Sequence, residues 1–117
     1  MDRRIALVIS KMEREMSATP TLEELGRQVN LSASRLRHLF KQQTGKTPAQ
    51  YLKDLRLRQA ELLLRTTFLS VKEITSRVGL TTGSHFVREF RKIHGMAPTT
   101  YRNLVGPSAK ADSGDAS

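Results

Sequence analysis

At 117 residues the chain is long enough to bury a core, as one domain or as two small lobes sharing a linker. Twenty Lys and Arg against eleven Asp and Glu leave a formal charge of +9 and a pI near 10.7, which favours phosphates or an anionic surface as partner. The lack of cysteine excludes disulfides, thiolate zinc sites and cysteine nucleophiles, and no apolar run approaches the ~20 residues of a membrane span.

No signal peptide opens the chain, because Asp2-Arg3-Arg4 runs directly into a mixed stretch. Ile5, Val8, Ile9, Met12 and Met16 are spaced at three and four residues and predict a core-covering helix over 2–16. Thr19-Pro20 ends it. Thr21-Leu22-Glu23-Glu24 is a capping box, in which the hydroxyl takes an orphan N–H and Glu24 reaches back. It opens a short helix over 22–29 with Leu22, Leu25 and Val29 inward. Asn30 tolerates the left-handed conformation that ends a helix and redirects the chain. After Leu31, Ser32 is placed to cap a second helix.

Thr47 and Pro48 start a longer helix over 48–65, with apolar contacts from Tyr51, Leu52, Leu55, Leu62 and Leu63. Ser70-Val71-Lys72-Glu73 repeats the capping box before a helix over 71–78, whose inward residues are Val71, Ile74 and Val78. Gly79 then takes the place of Asn30, and Leu80 and Thr81 follow as Leu31 and Ser32 do. Pro98 opens a last helix ending near Leu104. After Gly106-Pro107 the small and polar residues of 106–117 predict a disordered tail. No segment carries a strand signal, so the fold class is all-α.

The stretch Leu22–Tyr51 recurs as Val71–Tyr101. Leu25, Val29 and Leu31 return 49 positions later as Ile74, Val78 and Leu80, and Leu36, Phe40, Gly45, Pro48 and Tyr51 return 50 positions later as Phe86, Phe90, Gly95, Pro98 and Tyr101. The extra residue lies in or just after a turn, where an insertion disturbs packing least. Helix, tight turn, helix is the helix-turn-helix arrangement, here present at 22–43 and again at 70–93. One such pattern arises often by chance; two in register with matching caps do not.

On a helical wheel Leu36, Leu39, Phe40 and Gln43 share one face of the first copy's second helix, which leaves Ser34, Arg37, His38 and Lys41 on the other. In the second copy Phe86, Phe90 and Ile93 point inward, leaving Ser84, Val87, Arg88 and Arg91 outward. A solvated basic face is the ordinary meaning of such charges. Its appearance twice, on the same helix of the same motif, favours reading of nucleic acid instead. Such a helix enters the major groove, where Arg pairs with guanine and Ser with donors or acceptors, while Lys46, Lys92 and His85 flank it for phosphate. The connecting helix would be ~27 Å long, of the order of the ~34 Å DNA turn, so both units can enter successive grooves.

The chain from about Ile5 to Leu104 resembles the DNA-binding domain of AraC/XylS-type transcriptional regulators. The resemblance is carried by Ile74-x3-Val78-Gly79-Leu80 and by Ser84-His85-Phe86-x3-Phe90-Arg91-x3-Gly95-x2-Pro98-x2-Tyr101-Arg102. It implies a seven-helix domain over 1–105, with two homeodomain-like helix-turn-helix lobes joined by a long central helix, binding duplex DNA beside a promoter. Base reading would fall on Ser34, Arg37, His38, Ser84, Val87 and Arg88, and backbone contacts on Ser32, Arg35, Lys41, Thr82, His85 and Arg91. Glu89, standing where the repeat has Leu39, and the small Ser34 depart from the family pattern.

The same reading expects a monomeric cytoplasmic protein of bacterial type with no cofactor, no metal, no membrane contact and no small-molecule site within this chain. RNA polymerase is a compatible partner. An RNA or membrane module is disfavoured because Phe40, Phe86, Phe90, Tyr51 and Tyr101 sit at core-like positions and the long helix mixes Asp54 and Glu61 among its bases. An enzyme is disfavoured because His38, His85 and His94 lack metal-ligand spacing and read as phosphate contacts or surface residues. The chain is either the C-terminal domain of a longer regulator or a complete short one; Met1 and the polar tail lean toward the latter.

Overall fold

The computed structural model describes residues 1–80 and 83–107. Among them all regular structure is helical: α1 (Arg3–Arg14), α2 (Leu22–Gln28), α3 (Ala33–Thr44), α4 (Pro48–Thr66), α5 (Val71–Val78), α6 (Gly83–His94) and α7 (Pro98–Val105). The chain divides into two compact units, Met1–Leu55 and one that begins at Arg56. The boundary falls within α4, which runs unbroken through it. The pair α2–α3 belongs to the first unit and α5–α6 to the second.

The helix starts are set by short polar side chains that satisfy otherwise orphaned N–H groups. Asp2 accepts from the Arg4 N–H at 2.8 Å, Thr21 from Glu24 at 3.1 Å and Ser32 from Arg35 at 3.2 Å. Thr21 supplies the hydroxyl half of its expected box. Ser70 and Glu73 form both halves, each bond 3.1 Å long. The Ser70 N–H holds the Glu73 carboxyl below the usual carboxylate range. Thr47 caps α4 as expected, accepting from the Gln50 N–H at 3.2 Å, and the Gln50 side-chain oxygen returns the bond by accepting from the Thr47 N–H at 3.1 Å. Asn30 at φ 58° and Gly79 at φ 83° take the left-handed conformation their equivalent places require. Thr81, expected to cap α6, lies outside the described residues, as do the last ten residues of the predicted tail.

The first core consists of Ile5, Val8, Met12, Leu25, Val29, Leu36 and Phe40, with Ile9, Tyr51, Leu52 and Leu55 packed against it. The second unit buries Leu57, Ala60, Leu64, Ile74, Val78, Phe86 and Phe90. Member for member the sets correspond, Ile5, Val8 and Met12 of α1 standing as Leu57, Ala60 and Leu64 of α4. The duplication therefore reaches one helix further back than sequence identity displays. A tyrosine closes each unit: Tyr51 meets Phe40 edge-on at 5.3 Å, and Tyr101 meets Phe90 at 5.2 Å. Helix α4 thus serves twice, its first turns finishing one core and its later turns starting the other.

Three apolar residues depart from expectation. Leu62 is 40% exposed, because the inward stripe of α4 runs through Leu57, Ala60 and Leu64 at spacings of three and four. Ile93 is 60% exposed, since α6 presents His94, not Ile93, to the rings of Phe90 and Tyr101. Met16 lies beyond the end of α1, which stops at Arg14.

Gly26 marks the tightest approach in the first turn. A β-carbon there would lie 2.3 Å from the Leu31 carbonyl oxygen, a backbone atom that cannot swing aside. The corresponding residue of the second unit is the buried Thr75, so the two turns differ at this place. Gly26→Ala is expected to destabilise the first unit by about 1–3 kcal/mol, the usual cost of overpacking. Urea unfolding followed by helical circular dichroism measures it; an unchanged midpoint would show slack in a turn drawn here as tight.

Candidate nucleic-acid interface

Helix α3 is fixed from beneath by Leu36 and Phe40, both fully buried, with Leu39 half-buried beside them. That register leaves Ser34, Arg37, His38 and Lys41 exposed on the opposite face. These four line one open concavity of about 460 Å³ together with Gln42. Gln42 was not foreseen, although it follows His38 by one helical turn, a spacing that places two side chains side by side. At the head of the helix the Ser32 oxygen accepts from the Arg35 N–H, which leaves the hydroxyl proton to be donated outward. Arg35 is exposed.

Helix α6 repeats the arrangement in the second unit. Phe86 and Phe90 are buried, Ser84, His85, Arg88 and Arg91 are exposed, and Val87 and Glu89 are half-buried. The charged outer groups of this helix that follow Phe86 are therefore Arg88 and Arg91, one turn apart, with Lys92 beside them. Thr82, expected to contact the backbone of a nucleic acid, lies outside the described residues.

Two expectations change, one for the flanking Lys46 and one for His94. The Lys46 ammonium is paired with the Asp54 carboxylate of α4, which ties it down beside the start of that helix. His94 is a packing residue and not a phosphate contact: its ring lies 4.1 Å from Phe90 and 5.1 Å from Tyr101, and its Nε2 stands 3.7 Å from a Glu61 carboxylate oxygen. Neither feature shows in the periodicity of one helix, because Asp54 and Glu61 stand on α4 and Tyr101 on α7.

Each face can do one kind of chemistry. Arg37, Lys41, Arg88 and Arg91 offer only donors, arginine in a fork that matches paired acceptors, and Ser34 and Ser84 supply groups that both give and accept. A rigid helix that carries such groups outward, with its apolar side locked into a core, presents them in fixed register to a surface of acceptors. Among the described residues no helix is long and apolar enough to cross a membrane.

The comparisons with known proteins fit this geometry. Residues 25–104 match the family model described as a helix-turn-helix domain. The chain is 38% identical over 100 residues to the HTH-type transcriptional activator RhaR of Mannheimia succiniciproducens, covering 86% of this chain and 36% of that protein. It is 34% identical over 99 residues to the transcriptional activator RhaS of Escherichia coli, covering 85% of this chain and 36% of that one. The chain thus spans about a third of the length of these curated relatives. Among solved structures, the DNA-binding domain of AdpA in complex with a target DNA superposes with a TM-score of 0.80 at 27% identity, covering 88% of this chain and 93% of that one. An AraC-type regulator from Chromobacterium violaceum gives a TM-score of 0.79 at 28% identity, covering 89% and 93%.

Proposed function

Because this chain belongs to the AraC-type family of helix-turn-helix transcriptional regulators, we propose that it binds double-stranded DNA sequence-specifically near a promoter. In this reading α3 and α6 enter successive major grooves. Ser34, Arg37, His38, Ser84, Val87 and Arg88 meet base edges, and Ser32, Arg35, Lys41, Thr82, His85 and Arg91 hold phosphates. The observation that carries the proposal is the recurrence of one exposed, donor-rich face on the second helix of both motifs. Chance solvation explains one basic face well and two equivalent ones poorly. The major groove supplies what these faces lack: guanine O6 and N7 as paired acceptors, and thymine methyls for Val87.

The domain, over 1–105, acts as a monomer in the cytoplasm, since each chain already holds two reading helices. It performs no catalysis, uses no cofactor or metal, and changes transcription by its position beside RNA polymerase.

Phosphate contact makes affinity depend on salt, because each neutralised phosphate releases counterions. With about six phosphates held, the log–log slope of affinity against salt is expected near −5. Titrating a specific duplex between low and physiological salt measures it. A slope close to zero would remove the DNA reading, and a similar affinity for structured RNA or anionic vesicles at equal salt would replace it.

A further inference from the structure

The two units close over different chemistry at equivalent places. In the first, the closing residues are Ile9, Thr44 and Tyr51. Ile9 and Tyr51 pack on the core, and the Thr44 hydroxyl donates to the Phe40 carbonyl of its own helix at 2.8 Å. In the second, the same places hold Glu61 of α4, His94 of α6 and Tyr101 of α7. The Tyr101 hydroxyl donates to a Glu61 carboxylate oxygen at 2.9 Å. The other carboxylate oxygen stands 3.7 Å from His94 Nε2, and Arg65 Nε is 3.9 Å from the first. The Tyr101 ring then meets Phe90 edge-on at 5.2 Å and His94 at 5.1 Å, and both of those residues are on α6.

One carboxylate on α4 therefore holds the hydroxyl of a ring that packs against two residues of α6. We infer, on the DNA reading above, that Glu61 is a positioning residue for base recognition by the second unit, acting through Tyr101 on α6, and that the first unit has no such dependence. The acceptor is charged and half-buried, so its bond to Tyr101 is stronger than one between neutral groups. Burial, and then the bond to Glu61, raise the Tyr101 hydroxyl above its ordinary range, so it keeps its proton and remains a donor. In the first unit the place of Glu61 is held by Ile9, whose side chain has no acceptor to offer, and Tyr51 is seated by packing on the core, edge-on to Phe40. Base reading tolerates little rotation of a helix, because a bidentate arginine must meet two acceptors at once.

The experiment uses the full chain on an operator selected with the wild-type protein, in which base changes are scored separately in each half. Arg88→Ala identifies the half read by α6. Glu61→Ala and Tyr101→Phe are each expected to lower discrimination in that half by about tenfold, with the other half unchanged. Glu61→Gln should lose less, about threefold, since its amide oxygen still accepts the tyrosine proton in a neutral bond roughly half as strong. Glu61→Ala combined with Tyr101→Phe should be no worse than either alone, because both remove one bond. Tyr101→Phe keeps the ring in the core and decides the matter should Glu61→Ala fail to fold. Equal losses in both halves, or full discrimination in folded Tyr101→Phe, would overturn the inference. A wild-type protein with no duplex preference would instead overturn the DNA reading on which it rests.

Discussion

Arg58→Pro is expected to cost helix α4 about 3 kcal/mol or more, and to lower the preference for a two-part operator over either half by about two orders of magnitude. Arg58 is exposed, whereas the neighbouring Leu57 is 8% exposed and belongs to the second core. Proline at 58 therefore breaks the helix without removing a core side chain, which Leu57→Pro would do. The proline ring clashes with the carbonyl one turn earlier, and its missing N–H removes one bond of the ladder. The 19 residues of α4 contain no glycine, and their single proline, Pro48, is the first of them, where it is harmless. Half-site binding would survive in a variant that keeps both cores. The advantage of joining the halves would not, since that gain exists only while the connection holds a geometry that spans both. Comparing full and half duplexes by fluorescence anisotropy, after circular dichroism shows the variant folded, measures the effect. A folded variant with the wild-type margin would show that α4 is not the connection that matters.

Arg37→Ala and Arg88→Ala should each remove about 1–3 kcal/mol of discrimination, at separate positions of the operator. Both arginines stand on exposed faces whose register is fixed by buried phenylalanines, Phe40 under α3 and Phe86 and Phe90 under α6. Truncation therefore removes the donor fork and leaves the helix in place. Lys41→Ala should behave differently and weaken all sequences about equally, because a phosphate contact carries no base information. Binding to a panel of single-base operator variants separates the two patterns. If both arginine variants keep full preference, the reading faces have been assigned to the wrong residues.

The helices, their caps and the two left-handed turns could be read from the chain because each depends on neighbours within one turn. Thr21, Ser32 and Ser70 bond to groups three residues away, and Asn30 and Gly79 are needed for their own backbone angles. The exposed faces of α3 and α6 were legible for a similar reason, since Leu36, Phe40, Phe86 and Phe90 set the period; the exceptions are Gln43, placed inward but exposed, and Val87, placed outward but half-buried. The interior of α4 was not. Leu62, Leu63 and Leu64 are consecutive, so composition alone cannot choose among them, and only packing against a core selects Leu64. Recognising α1 as the counterpart of that helix would have chosen correctly, but Ile5, Val8 and Met12 share spacing with Leu57, Ala60 and Leu64 without sharing identity. The Glu61–Tyr101 bond joins residues 40 apart. Its neighbour His94 reads in the sequence as a phosphate contact or surface residue, because an isolated histidine says nothing about what surrounds it.

Hydroxyl-radical footprinting of the wild-type chain, on a duplex selected from a random library, tests most directly whether one chain reads two grooves. At one chain per duplex the protein should protect two patches on one side of the helix, with centres about 10 base pairs apart. Arg37→Ala should weaken one patch and Arg88→Ala the other. A single protected patch, or protection that appears only when a second chain is bound, would contradict the account.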